Sequence, residues 1–198
     1  MIVIADYGAG NLASVKKALE HIGAFVVVTS DPAVVAAAQK IILPGVGHFS
    51  ATAALEACGL KSAIADAIRR AVPFLGICVG MQWMFESSEE APETPGLGLF
   101  PGSCQRFPAN VKSPHVGWNE LSLYRPCRLL QGVGDGPFVY FSHSYRVPVM
   151  DATVAECDYG DSFSAIVERD NIYGVQFHPE KSGAAGLKLL QNFCHLPC

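Results

Sequence analysis

Short apolar runs alternate along the first half of the chain with stretches whose apolar residues recur every three or four positions. Ile2-Val3-Ile4-Ala5 is too short for a helix and predicts a buried strand. A glycine-rich turn follows. Leu12, Val15, Leu19 and Ile22 then mark one face of a helix that Gly23 ends. Phe25 to Val28 is β-branched and predicts a second strand. Asp31-Pro32 has the form of an N-cap with proline in the first helical position. Ile41-Ile42-Leu43 predicts a third strand, broken by Pro44. Alanine-rich helical sequence covers 49–71, split at Gly59. Pro73 to Ile77 predicts a fourth strand, and Met81 to Phe85 opens another helix.

Strands alternating with helices predict an α/β fold: a doubly wound, mostly parallel central sheet with helices on both faces. The pattern changes after residue 88. Glu89 to Gly98 is an acidic loop containing Pro and Gly. From about 104 to 168 come short runs such as Phe138-Val139-Tyr140-Phe141 and Ala165-Ile166-Val167, which predict an added antiparallel region. Ile172 to Phe177 is a last strand. Leu187, Leu190 and Cys194 mark the inner face of a closing helix. No repeat or disordered linker interrupts 1–198, so one domain is expected.

Composition narrows the classes. Half the residues are hydrophobic and 16% are charged, enough for a substantial core. A net charge of −4 without a basic run argues against nucleic acid as a partner. The N-terminus lacks the features of a secretory signal, and no apolar run approaches a membrane span. The seven cysteines include no CxxC pair, so neither metal nor cofactor is expected. Cys194 and Cys198 read as incidental. An odd cysteine count without a signal fits a cytoplasmic protein with reduced thiols.

Three segments carry candidate chemistry. Gly76-Ile77-Cys78-Val79-Gly80 stands where a buried strand turns into a helix, the form of a nucleophile elbow with cysteine in place of serine. The flanking glycines leave room for a strained turn that lifts the thiol out of the sheet. A helix N-terminus beside the sulfur would favour thiolate. The bland alternative is a buried cysteine between two turn glycines. His178-Pro179-Glu180 ends another strand. Residues two apart in extended chain point the same way, so Glu180 can orient His178; alone, the tripeptide would be a surface turn. Pro44-Gly45-Val46-Gly47 follows the third strand. Its glycines allow backbone N–H groups to turn toward a substrate oxygen, as an oxyanion hole requires, or simply form a βα turn. All three lie at C-terminal strand ends, where open α/β sheets place their sites.

GICVGMQ at 76–82, PGVG at 44–47 and HPEKS at 178–182 resemble the class I, or triad, glutamine amidotransferases, whose fold is flavodoxin-like. DYGAGN at 6–11, PGVGHF at 44–49, GLGLF at 96–100, PHVGWN at 114–119 and YFSHSY at 140–145 resemble one branch of that family, the glutaminase subunits of imidazole glycerol phosphate synthases. Val116 stands where this branch leads one to expect methionine, and Ser142 where it leads one to expect valine; Ser142 lies beside the expected glutamine pocket.

The resemblance implies that Cys78 attacks the side-chain amide of L-glutamine, with His178 carrying the proton and Glu180 orienting His178. Gly45, Val46, Gly47 and Val79 would surround the oxyanion. Gln82, Ser142, His143 and Ser144 would border or hold glutamine. Ammonia would pass to a separate (β/α)₈-barrel cyclase subunit in histidine biosynthesis, the complex making imidazole glycerol phosphate and aminoimidazole carboxamide ribotide. Asn11, Trp118, Asn119, Tyr140 and Lys181 would lie at that interface; as residues alone, Trp118 and Tyr140 read equally as core aromatics and Lys181 as a solvated lysine.

Rival readings remain. Gly8-Ala9-Gly10-Asn11-Leu12-Ala13, with Asp31 about 20 residues beyond, fits a dinucleotide-binding fingerprint, although Asp6 and Tyr7 separate it from the strand. A non-catalytic subunit, an independent cysteine hydrolase and the glutaminase of another synthase are the others.

Overall fold

The computed structural model describes residues 1–197. Cys198, half of the cysteine pair read as incidental, lies outside the described residues. The first half runs β1 (Ile2–Ala5), α1 (Leu12–His21), β2 (Val26–Thr29), α2 (Pro32–Ala36), β3 (Lys40–Gly45), α3 (Ala53–Ala57), α4 (Leu60–Arg69), β4 (Phe74–Cys78) and α5 (Val79–Gln82). The second half runs β5 (Ser87–Ser88), β6 (Ser103–Arg106), β7 (His115–Glu120), β8 (Ser122–Leu123), β9 (Phe138–His143), β10 (Tyr145–Arg146), β11 (Thr153–Asp158), β12 (Ser162–Arg169), β13 (Ile172–Val175) and α6 (Gly183–His195).

The main sheet has eight strands in the order β2-β1-β3-β4-β13-β12-β11-β8. The first five are mutually parallel, and β12, β11 and β8 extend them antiparallel. β1, β3, β4 and β13 are buried along their whole length, as parallel strands covered on both faces must be. β7 and β9 form a separate antiparallel ribbon. No described helix is long and apolar enough to cross a membrane.

Several elements differ instructively from the pattern. Pro44 does not break β3, which continues to Gly45. The Ile41 N–H donates to the Pro73 carbonyl toward β4, so the missing Pro44 N–H faces β1. Pairing with β1 has already ended at Ile42, and no ladder bond is lost. The helix expected to open at Met81 begins at Val79 and lasts four residues. The backbone of Leu97, Gly98 and Leu99 then donates to the carbonyls of Trp83, Phe85 and Met84, ending it. The inner face of α6 is Gly186, Leu189, Leu190 and Phe193, with Leu187 and Cys194 only partly buried. Gly186 fixes that rotation, because a Cβ there would lie 2.0 Å from the Pro179 carbonyl oxygen. Asp31 caps α2 by accepting from the Ala33 N–H at 2.8 Å, and Gly59, at φ 76°, separates α3 from α4.

Candidate active site

The cysteine elbow is built by close approach of backbone to backbone. A Cβ on Gly80 would fall 1.9 Å from the Leu43 carbonyl oxygen, and one on Gly76 would fall 2.6 Å from the Gly80 carbonyl oxygen. Only glycine lets α5 fold down onto β3 and β4 this tightly. Cys78, between them, takes φ 55° and ψ −112°, a conformation that costs a non-glycine residue on the order of 1–3 kcal/mol. Pairing of β4 with β3 on one side, through Gly45↔Cys78, and with β13 on the other holds it there. With only four residues, α5 contributes a small dipole. The groups touching the sulfur therefore matter more than the helix the elbow pattern led one to expect.

Those groups arrive from the strand ends beside it. His178 follows β13. Its Nδ1 lies 3.0 Å from Glu180 Oε1, which leaves Nε2 to interact with the neighbouring Cys78 thiol. Burial opposes a charge on this ring, but the hydrogen bonds and negative charges of Cys78 and Glu180 outweigh it and lift the imidazole to about 10. The ring is thus a proton acceptor whose charged form is stabilised on both sides. The Glu180 side chain is fully buried, and Asn11 Nδ2 donates to the same Oε1 at 3.4 Å. Ser182 fixes the backbone: its hydroxyl donates to the His178 carbonyl at 2.6 Å and accepts from the Tyr140 N–H at 2.9 Å.

Cys78 opens onto a cavity of about 630 Å³ lined in part by Gly10, Asn11, Val46, Gly47, Val79, Gln82, Glu90, Ser142, Ser144, Tyr145, His178 and Lys181. Gly47 is at φ 89° and Val46 is exposed, so the Pro44–Gly47 turn presents backbone to this space. Glu90 and Tyr145 were not singled out from the sequence. Glu90 comes from the acidic loop and is anchored because Oε2 accepts from the Phe49 N–H at 2.8 Å.

Two expected contributors are arranged differently. Gln82 borders the cavity, but both its amide hydrogens are spent internally, on the Tyr145 carbonyl at 2.9 Å and Gln176 Oε1 at 3.1 Å. His143 also borders the cavity, but it alternates with the exposed Ser142 on β9 and its ring packs into the core. It packs against Phe107, Phe141 and Phe163. The Tyr145 carbonyl, 2.9 Å from Nδ1, can only accept, so that nitrogen carries the hydrogen and Nε2 accepts from His115 at 3.2 Å. Burial lowers both rings, His115 to about 4 and His143 to about 3, so the couple is neutral near pH 7.

The expected interface residues divide likewise. Trp118 is 54% exposed, meets Tyr140 edge-on at 6.1 Å between centroids, and Lys181 Nζ lies 5.7 Å from the Tyr140 ring centroid. Exposed Val116 and Phe138 share this outward face of the ribbon. Asn119 points to the opposite face, where its side chain donates to the Asp158 carbonyl at 3.0 Å.

Comparison with known proteins decides the family. The sequence profile of "Glutamine amidotransferase class-I" matches residues 3–196. The chain belongs to the class I glutamine amidotransferases. Within them this amidotransferase belongs with imidazole glycerol phosphate synthase subunit HisH. It is 52% identical to that subunit of Desulfitobacterium hafniense (strain Y51), over 98% of this chain and 93% of the relative. It is 49% identical to that of Thermococcus kodakarensis, over 99% of this chain and 100% of the relative. A crystal structure titled as a glutamine amidotransferase superposes with a TM-score of 0.77 at 16% identity, covering 98% of this chain and 99% of that one. It shares the fold. The amidotransferase assignment sets aside the dinucleotide reading, and Asp31, its expected ribose ligand, is a helix cap.

Proposed function

We propose that Cys78, His178 and Glu180 form the catalytic triad of a glutaminase that releases ammonia for a (β/α)₈-barrel cyclase subunit. One observation carries this reading: a sulfur and an imidazole stand side by side at the wall of one cavity, with a fully buried carboxylate behind the imidazole. Free cysteines at 58, 78, 104, 127, 157 and 194 suit the reducing cytoplasm.

In the proposed reaction, the Cys78 proton moves to His178 and the thiolate attacks the glutamine side-chain carbonyl carbon. Backbone N–H groups of the Val46–Gly47 turn and of Val79 stabilise the oxyanion. His178 returns the proton to the leaving nitrogen, and ammonia departs from a glutamyl thioester. Water, deprotonated by His178, then attacks that thioester, releasing glutamate and regenerating the thiol.

Glu90 is the carboxylate of the cavity lining, and we assign it to the α-ammonium of glutamine. Glu90→Gln should raise KM about 10- to 100-fold, with kcat changed far less. Steady-state glutamate release measures it, and an unchanged KM would remove Glu90 from the substrate site.

The partner reading rests on the outward ribbon face. Val116, Trp118 and Phe138 expose apolar surface, as docking sites do. Ser142 opposes Val116 in the ribbon register, and both Ser142 and Lys181 also line the cavity. A barrel cyclase seated here would cover the mouth from which ammonia leaves. We assign the complex to histidine biosynthesis, with imidazole glycerol phosphate and aminoimidazole carboxamide ribotide as products. Glutamate release by the chain alone should be slow and should rise strongly with a barrel cyclase and its nucleotide ligand. An equal rate with and without the cyclase would contradict the assignment.

A further inference from the structure

Gln176 is fully buried and stands in the bend just past β13, two residues before His178. Both reach Cys78. Gln176 Nε2 lies 3.7 Å from the sulfur. The orientation of this amide is dictated from a distance. The Tyr145 carbonyl can only accept, so Gln82 must turn its NH₂ group toward it, at 2.9 Å. The second hydrogen of that NH₂ goes to Gln176 Oε1 at 3.1 Å. With its oxygen so engaged, Gln176 has only its own NH₂ to offer the sulfur. A reversed amide would set two NH₂ groups against each other in a buried site.

We propose that Gln176 is a further catalytic residue, an N–H donor to the Cys78 sulfur that favours thiolate over thiol, and that Gln82 is the positioning residue that fixes its orientation. The inference rests on Cys78 being the nucleophile. It adds a second donor beside the imidazole. It also gives Gln82 a role although its amide hydrogens are not available to glutamine. Through the Tyr145 carbonyl, the relay joins the sulfur to the cavity wall.

Other groups facing the sulfur are accounted for. His178 comes from beyond β13, with Glu180 behind it. From beyond β1, buried Tyr7 feels the charge of Cys78. The Ser142 carbonyl, 4.0 Å away, accepts from the thiol form. Neutral His143 lies behind β9, where burial first, and the neighbouring His115 and His178 after it, keep it uncharged. None of these replaces a donor on the Gln176 side.

The test uses the full chain and iodoacetamide, with the rate of Cys78 alkylation followed by mass spectrometry from about pH 5 to pH 10. Gln176→Met, close in shape but without the donor, should raise the midpoint of the alkylation profile by about one pH unit. Below the midpoint that is about a tenfold slower reaction. Gln82→Met should raise it by less, because Gln176 keeps its amide and loses only its guide. Gln176→Glu preserves shape and the acceptor for Gln82 while placing a carboxylate by the sulfur. It should raise the midpoint most, and it serves if Gln176→Met does not fold. A folded Gln176 variant of either kind with the wild-type midpoint would overturn the proposal. Loss of the nucleophile assignment would register separately, as glutamine turnover surviving in Cys78→Ser.

Discussion

Replacing Cys78 by serine should abolish glutamine-dependent turnover, while the complex with the proposed barrel cyclase should still run on added ammonium. The surroundings of the sulfur give this expectation its physical basis. Its thiolate is within hydrogen-bonding reach of His178, and Gln176 donates to it from the other side. An alkoxide needs far more stabilisation than these two groups give, since a hydroxyl is a much weaker acid than a thiol. The expected loss is at least about 10³-fold in kcat/KM for glutamine, or roughly 4 kcal/mol of transition-state stabilisation. Ammonium bypasses the loss because it enters after the amide has been cleaved. Serine matches cysteine in shape closely enough to keep the elbow folded, so the ammonium-dependent rate should match that of the unaltered complex. Glutamine-dependent synthesis surviving in the variant would show that the nitrogen is liberated elsewhere.

His178→Ala is the second large effect, and its comparison with Glu180→Gln separates carrying a proton from aiming the carrier. Without the imidazole, no described group takes its place against both the thiol and the leaving nitrogen, and glutaminase activity should fall by about 10²–10⁴-fold. Glu180→Gln leaves the ring in place and keeps a side-chain oxygen for Nδ1. It should retain about 10–100 times more activity than His178→Ala. It should also change the pH profile in a fixed direction. The carboxylate is one of the groups that raise His178 to about 10 against the opposing effect of burial. Removing its charge lowers the imidazole, so the alkaline limb of activity moves to lower pH. Initial rates across the alkaline range measure this. A limb that stays put would mean that Glu180 does not act through His178.

Much of this arrangement was legible in the sequence because the site sits at strand ends. A buried strand running into Gly76-Ile77-Cys78-Val79-Gly80 has few ways to turn, and the glycines occur where backbone meets backbone. His178 and Glu180 are two apart, but the chain does not stay extended there: the 3₁₀ turn Pro179–Lys181 brings the Glu180 carboxylate back to His178 Nδ1. Strand alternation placed within reach one thing the motif obscured. His143 shares the buried side of β9 with Val139 and Phe141. A histidine in that row belongs to the core whatever its neighbours in sequence do. Glu90 gave no such signal. It is one of several acidic residues in a loop, and only folding brings it to the Phe49 N–H and the cavity. The α6 face was misread by one position because leucines at 187, 189 and 190 fit more than one stripe; contact between Gly186 and Pro179 settles the rotation.

The most direct measurement of the triad is covalent trapping by a diazoketone analogue of glutamine, which alkylates a nucleophile only where the glutamine side chain binds. Peptide mass spectrometry of the full chain should find one modified residue, Cys78. Excess glutamine should slow labelling, and His178→Ala should slow it by at least about tenfold. Labelling at another cysteine, or labelling of Cys78 that neither glutamine nor His178→Ala affects, would contradict the account.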